Sequence, residues 1–480
     1  SFTFDEVTRA TSVNMSNALL QGDQTKVGST SESPGLAGAV TSGDGLVITA
    51  TLTVASANEV RALSGVAVSD ISTFLVASST FATDVDGNGM TAIVSSLGTQ
   101  VSQFGGDTTV PAPVGFGIDL TAGQLVLTFE QPVAGSSINA SVLQLQSSGS
   151  SGADAVVLTG GVVSTEISTT VTIDITEDDL NNIKKSPTCA SSTNTSQCFL
   201  SYTLAFGTDA TGLLLPAVLG SSALQSTSYT KDTTRPAVAA PYRFNFNLAL
   251  GQIELSFTEV VDLGSFTATG LSLHAEDAVA AGVDSFTLTG GSLVETAAST
   301  SLTMQLNATD LNAIKSKGEL CSKRVDCYLK LENSSFSDFA GNLLVSTADD
   351  QLLRTLDFTS DSAGPQLESF SINMDSSVIV LTFDESVDAA TLVRSGITLQ
   401  KAKGSSVSVT LSSCDDGVAC TPSSTGAVIE VAITSTDLIA IKLLEFATNT
   451  SDSFNSITPS VIKDTARVPN AVQAVNSSSA

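Results

Sequence analysis

The chain has 480 residues, 48 of them acidic against 20 basic, for a formal net charge of -28. That balance argues against nucleic acid or an anionic membrane as partner. Charged residues are still only 14% of the chain, with Ser and Thr supplying most of the polarity, so it is not a disordered acidic tract.

One stretch recurs four times. The chain opens on Ser1-Phe-Thr-Phe-Asp-Glu-Val7. Its counterparts are Gln124-Leu-Val-Leu-Thr-Phe-Glu-Gln-Pro-Val133, Gln252-Ile-Glu-Leu-Ser-Phe-Thr-Glu-Val-Val-Asp262 and Val378-Ile-Val-Leu-Thr-Phe-Asp-Glu-Ser-Val-Asp388. The phenylalanines Phe4, Phe129, Phe257 and Phe383 are spaced by 125, 128 and 126 residues. A period this long marks tandem copies of a whole domain, since solenoid units repeat every ~20–50 residues. Alternation of apolar and small polar residues predicts a half-buried strand in each copy, with Ile379, Leu381 and Phe383 on one face. The residue two past each Phe (Glu6, Gln131, Glu259, Glu385) is expected at a solvated strand end.

Four repeats follow, over 1–110, 111–235, 236–364 and 365–468. Repeat one begins directly in the Phe4 strand, without the opening strand that precedes the other three. After a Gly/Ser-rich stretch it predicts a strand over 46–53. Later copies of that strand are Val171-Thr-Ile-Asp-Ile-Thr, Leu302-Thr-Met-Gln-Leu-Asn and Val428-Ile-Glu-Val-Ala-Ile-Thr. A short helix is predicted next, at Ser56-Ala-Asn-Glu-Val-Arg-Ala-Leu63, Thr176-Glu-Asp-Asp-Leu-Asn-Asn-Ile-Lys184, Asn307-Ala-Thr-Asp-Leu-Asn-Ala-Ile-Lys315 and Thr434-Ser-Thr-Asp-Leu-Ile-Ala-Ile-Lys442. Ser, Thr or Asn three residues before Asp or Glu is capping-box spacing. The helix is expected to plug one open end of a β-sandwich.

Cysteines fall in close pairs, Cys189/Cys198, Cys321/Cys327 and Cys414/Cys420, one pair in each of the last three repeats. Zinc would ask for CxxC spacing or several histidines, and His274 is the sole histidine. Three local disulfides in an oxidising compartment are expected, each contributing roughly 2–3 kcal/mol. No apolar run reaches the ~18 residues of a membrane span.

Asp84-Val-Asp-Gly-Asn-Gly89 places oxygen ligands at alternate positions, Asp84, Asp86 and Asn88, as the first half of a calcium loop does. The closing Glu is missing, Ser95 standing at the twelfth position, and an Asp/Asn/Gly hairpin turn accounts for the same residues. Calcium is the only cofactor the sequence suggests, and none is required. N-glycosylation sequons stand at Asn14, Asn139, Asn194, Asn333, Asn449 and Asn476; that at Asn307 coincides with a helix cap. Neither Gly-x-Ser-x-Gly nor a phosphate- or dinucleotide-binding signature is present, and no enzymatic activity is expected.

Linkers close the repeats at Asp107-Thr-Thr-Val-Pro111, Asp232-Thr-Thr-Arg-Pro236, Asp361-Ser-Ala-Gly-Pro365 and Asp464-Thr-Ala-Arg-Val-Pro-Asn470. Together with the Leu-Thr-Phe-x-Glu-x-Val strand and Asp338-Phe-Ala-Gly-Asn342, they resemble the tandem bacterial-type Ig-like domains of surface-layer proteins, adhesins and other large extracellular proteins. The resemblance implies an all-β chain of four Ig-like sandwiches in an elongated rod, at the cell surface or outside it. It also implies calcium at the linker acids Asp107, Asp232, Asp361 and Asp464, where the residues alone suggest an Asp accepting local backbone hydrogen bonds. The helices and cysteine pairs are not general features of that family.

These readings converge on a structural subunit of an extracellular filament, hair or sheath, with itself as head-to-tail partner. The alternative is an adhesin stalk or a binder of glycans or cell-surface components. Trp is absent and aromatics are only 5%, which disfavours a dedicated ligand surface. Residues 469–480 read as the opening strand of a further or neighbouring repeat. Two expectations stay open: donation of that strand to repeat one of the next subunit, or a sequence cropped from a longer tandem chain.

Overall fold

In the computed structural model the described residues are 1–26, 32–150, 154–189, 197–414 and 424–480. They form two compact units, Ser1–Thr234 and Arg235–Ala480. The structure is mostly β, with four hydrophobic clusters, one in each sequence repeat.

The second half of the first unit forms one eight-stranded sheet. Its order is Val156–Val157, Leu143–Gln146, Phe199–Tyr202, Leu224–Thr230, Pro113–Asp119, Gln124–Ala134, Ile167–Asp174, Val162–Val163. Leu224–Thr230 joins two layers, pairing antiparallel with Phe199–Tyr202 at its start and parallel with Pro113–Asp119 further on. The sheet thus folds over on itself, with Leu125, Leu127 and Phe129 from one layer meeting Leu143, Leu145 and Leu200 from the other. The first half of the second unit has the same order, from Ser285–Thr287 through Leu353–Thr359 and Arg243–Asn247 to Gly291–Leu293.

The outer repeats have shorter sheets. Phe2–Thr8 pairs with Gly45–Ile48, and Thr8 also bridges Asp84. Leu367–Asn373 pairs with Val378–Asp388, which pairs in turn with Gly426–Ala432. The predicted alternation holds in that central strand: Ile379, Leu381 and Phe383 are buried, whereas Val380 and Thr382 are half-buried.

Residues 469–480 lie against the repeat that precedes them. Val472 is buried in the fourth cluster, Ala471 bridges Lys463, and Val475 bridges Ile457. Gln473 N–H also donates to the Pro365 carbonyl at 2.8 Å. The segment folds back because its alternating valines meet apolar residues of its own repeat.

Among the described residues each repeat carries one short α-helix: α1 Val54–Arg61, α2 Glu177–Lys185, α3 Ala308–Lys315 and α4 Ser435–Leu443. The caps of the last three are Thr176, Asn307 and Thr434, as the sequence predicts. In α1 the cap is Thr53, three residues before the expected Ser56; its hydroxyl accepts from Ser56 N–H. The capping box is not reciprocal either. The acids at its third position point away from the cap and accept backbone N–H groups of a strand-connecting loop: Asp179 from Thr159, Asp310 from Thr289, Asp437 from Ser412. Ile183, Ile314 and Ile441 are fully buried one turn on, so each helix seals its cluster.

Candidate functional site: a buried lysine among carboxylates

Burial of Ile314 fixes the rotation of α3 and carries the next residue, Lys315, inward at the helix C-terminus, where a cation is favoured. Its ammonium lies 2.5 Å from Glu385 Oε2 and 2.9 Å from Asp361 Oδ2. The contact with Glu385 is a hydrogen bond, whereas Asp361 Oδ2 lies outside hydrogen-bond geometry. Asp464 completes the group, with one carboxylate oxygen each from Asp361, Glu385 and Asp464 within 4.8 Å of one another. All four residues are buried.

Four different segments deliver these side chains. Asp361 is the linker acid, its Oδ1 accepting from Ala363 N–H. Glu385 stands inside the long strand Val378–Asp388, and Asp464 pairs with Val387 of that strand. Asn470 holds Asp464 through its backbone N–H at 2.8 Å and its side-chain amide at 2.8 Å. Ser386 N–H donates to Asn312 Oδ1 of α3 at 3.1 Å, so the strand is tied to the helix directly beside Lys315.

One ammonium faces three carboxyl groups, so full ionisation would bury excess negative charge. Burial, together with Asp361 and Asp464 nearby, pushes Glu385 up to about 7 against the opposing pull of Lys315. Asp464 is raised as well, by burial first and then by Asp361. For Lys315, burial works against the charge, but the hydrogen bond to Glu385 and the close negative charges of Glu385 and Asp361 outweigh it and raise its pKa.

The equivalent positions are populated differently along the chain. Lys184, at the same point of α2, lies 2.9 Å from linker Asp232, both side chains being buried. In α1 the position is Arg61, 2.8 Å from linker Asp107 and about a third exposed. Two residues past the strand Phe, Glu259 and Glu385 are buried, Gln131 is half-buried and Glu6 is exposed. The expectation of solvated strand ends therefore fails for Glu259 and Glu385, because the strand end is covered there. Within the chain, Lys on the helix goes with Glu on the following strand, and Arg with Gln. That pairing was readable in the sequence and is the signal that would have found the site.

The four linker acids all accept a backbone N–H two residues on: Asp107 from Thr109, Asp232 from Thr234, Asp361 from Ala363 and Asp464 from Ala466. A calcium ion does not fit among Asp361, Glu385 and Asp464, because the Lys315 ammonium already stands against two of the three.

The other sequence-predicted residues lie elsewhere. Asp84 Oδ1 accepts from the N–H groups of Asp86 and Asn88, and its Oδ2 from the Asn88 amide. Those bonds lower its pKa, the Asn88 side chain first. They make a hairpin turn bridged by Thr83 and Gly89, and the Asp-to-Asn arrangement recurs at Asp338/Asn342 and Asp464/Asn470. Disulfides join Cys189 to Cys198 and Cys321 to Cys327. Cys414 is disulfide-bonded, and Cys420 lies outside the described residues. Asn14, Asn139, Asn333, Asn449 and Asn476 are exposed; Asn194 lies outside the described residues. His274 is buried, with Nε2 2.8 Å from Ser272 Oγ, and burial lowers its pKa. No helix among the described residues is long and apolar enough to cross a membrane.

No family model and no curated protein matches this chain. Solved structures that resemble it include the FN1–FN3 domains of chicken CNTN1, at 9% identity and TM-score 0.22, covering 76% of this chain and 96% of that one. The S-layer protein rSbsC(31-844) matches at 11% identity and TM-score 0.18, over 76% of this chain and 54% of that one. FdeC, an Escherichia coli adhesin, matches at 11% and 0.16, over 75% and 96%. Likeness at this level carries no argument about role.

Proposed function

We propose that the chain is a structural subunit of an extracellular surface assembly, built from four Ig-like sandwiches with the boundaries read from the sequence. What supports this reading is one tie made three times: the cation ending each helix reaches the acid of the following linker, as Arg61–Asp107, Lys184–Asp232 and Lys315–Asp361. A chain that spends its buried charges on fixing successive linkers is organised to hold a spacing. The two local disulfides fit an oxidising, extracellular setting. Self-association belongs to the proposal. The edge of Leu367–Asn373 facing away from Val378–Asp388 has no partner strand among the described residues, whereas the corresponding strands Pro113–Asp119 and Arg243–Asn247 are paired on both sides. Strand addition there would use a different surface from residues 469–480, which pack within their own repeat.

A second reading, an adhesin stalk or binder of cell-surface components, draws on the groove beside that edge. It has a volume of about 930 Å³ and is lined by Phe370, Ile372, Met374 and Phe446 among others. Negative-stain microscopy of native material and of the purified chain over a concentration series separates the two. Fibres or lattices containing the chain support the structural subunit. Single particles at every concentration, in both preparations, would sink it.

A further inference from the structure

We propose that the groove of the fourth repeat takes a strand from a second copy of the chain, residues 101–107, laid parallel to Leu367–Asn373. The proposal rests on the assembly reading and names its joint. The inner repeats show what such a groove holds. In repeat two Leu224–Thr230 runs parallel beside Pro113–Asp119, with Tyr229 opposite Ile118. In repeat three Leu353–Thr359 runs parallel beside Arg243–Asn247, with Phe358 opposite Phe246. On its other side Thr355 Oγ1 donates to the carbonyls of Arg324 and Cys327, just before the strand Tyr328–Leu331. Under this cover Phe116, Ile118, Phe244 and Phe246 are at most 3% exposed.

In repeat four the counterparts of Phe244 and Phe246 are Phe370 and Ile372, since Asn373 faces Val378 as Asn247 faces Gln252. Both are only half-buried, and both line the groove of about 930 Å³. Its opposite wall carries Thr450 and Ser453, which stand before the strand Phe454–Ile457 as Arg324 and Cys327 stand before Tyr328–Leu331. The groove is therefore the slot of the parallel strand. Both of its walls are built, and no strand lies in it among the described residues. An open edge beside half-covered apolar side chains is a template for strand addition.

The strand that fills this slot has a signature. An aromatic residue stands three positions before the linker acid, Tyr229 before Asp232 and Phe358 before Asp361. The acid then reaches the cation that ends the helix, Lys184 or Lys315. Repeat one has the same spacing, Phe104 before Asp107. Of that segment Thr99 and Gln100 pair with Phe74–Ala77, and Val101 N–H donates to the Thr73 carbonyl. Residues 102–106 pair with no strand among the described residues, and Phe104 is half-buried. This segment thus offers the edge that the groove accepts. Charge agrees with the match. Lys442 ends α4 where Lys315 ends α3, is exposed and lines the groove, so Asp107 meets it as Asp361 meets Lys315. The tie to Arg61 that Asp107 gives up is partly solvated and worth little. Main-chain bonds hold the strand, while Phe104 over Ile372 and Asp107 at Lys442 set its register. Joining repeat four of one copy to repeat one of the next is a head-to-tail contact, which propagates unless its rotation closes a ring.

The test is disulfide trapping between two singly substituted full chains, Asn373→Cys and Gly105→Cys. These positions face each other in the proposed register, as Asn247 faces Thr359 in repeat three. Mixed under mild oxidation, the two chains should become linked to each other, with peptide mapping placing the bond between positions 373 and 105. A synthetic peptide of residues 353–361, the strand that fills the same slot in repeat three, should suppress the link. The same peptide with Phe358→Ser should not. The peptide leaves the groove's own residues in place, so this arm does not depend on how a groove variant folds. No link in the mixture, equal linking of either chain to itself, or a link that the peptide leaves intact would overturn the proposal. So would electron cryo-microscopy of native material showing the groove filled by another segment of the same chain or by a different protein. Negative-stain fibres or lattices in a preparation that yields no link would leave the assembly reading standing and remove this joint. Single particles with no link would sink both.

Discussion

The helix–linker tie of Arg61 and Asp107 and that of Lys315 and Asp361 use the same elements and differ in burial. Arg61 is about a third exposed, Asp107 is partly exposed, and Gln131 at the next strand is neutral. Lys315, Asp361, Glu385 and Asp464 are all buried, with more acid than base. The difference decides what each can do. A partly solvated pair is screened and contributes ~0–1 kcal/mol. A buried one is costly to break and shifts the protonation of its neighbours.

The largest test of this contrast removes the cations. Lys315→Met leaves three buried carboxyls without a counterion and should destabilise the unit Arg235–Ala480 by ~3–5 kcal/mol. Arg61→Met should cost the other unit ~0–1 kcal/mol. Urea unfolding of the full chain, followed by hydrogen exchange to assign each transition, reads both. Equal losses would break the comparison.

Covering also comes from residues 469–480, which pack on the repeat that supplies Glu385 and Asp464. Val472→Ala should cost ~2 kcal/mol by leaving a cavity in the fourth cluster. A change below a few tenths in urea unfolding would place the segment off the core.

The two ties should also respond to pH with opposite signs. Glu385 is raised from 4.5 to about 7, so between those values the folded protein binds the extra proton. Its stabilising share is full below 4.5 and is lost as pH rises through about 7. The full linkage of ~1.4 kcal/mol per pKa unit is screened by nearby solvent, leaving ~1–2 kcal/mol. Asp107 goes the other way. Burial opposes its ionisation, but the bonds from Thr109 and Arg61 win and lower its pKa, so its share is present above 3.8 and lost as pH falls. Melting curves across pH 3–8 should show the second unit weakening toward neutrality, and Glu385→Gln should flatten that slope. A slope unchanged in Glu385→Gln would remove Glu385 as its source.

Smaller effects come from the turns and caps. Asn307→Ala should cost ~1 kcal/mol by freeing the Asp310 N–H at the start of α3. At the Asp84 turn, Asp84→Ala should lower the melting temperature of the first unit equally with calcium and with chelator, since the carboxylate serves protein donors. A loss confined to the calcium sample would make Asp84, Asp86 and Asn88 a calcium site.

Much of this architecture was legible in the chain. The period of the Phe strands, the alternation around Leu381, the caps Thr176, Asn307 and Thr434 and the close cysteine pairs are local signals. Each follows from hydrogen bonds or side-chain direction within a few residues, so each survives translation into structure. The misplaced cap of α1 shows the limit: Ser56 and Thr53 are both good caps, and register against the core decides between them through Val60.

The carboxylate group could not be reached that way. Asp361, Glu385 and Asp464 are ordinary acids, and strand-end and linker acids are mostly solvated. Whether Glu385 meets water or Lys315 depends on a helix some seventy residues earlier and on the return of Asn470 past Asp361, contacts that exist only once the unit Arg235–Ala480 has folded. Residues 469–480 show the same dependence, since alternating valines specify a strand but not the edge it joins. The sequence by itself determined which side chains alternate, which helices are capped and which acids precede prolines, because those properties are written within one turn or one strand. Tertiary structure alone decided which of those acids lost their water, because desolvation belongs to everything that surrounds a group and not to the residues beside it in the chain.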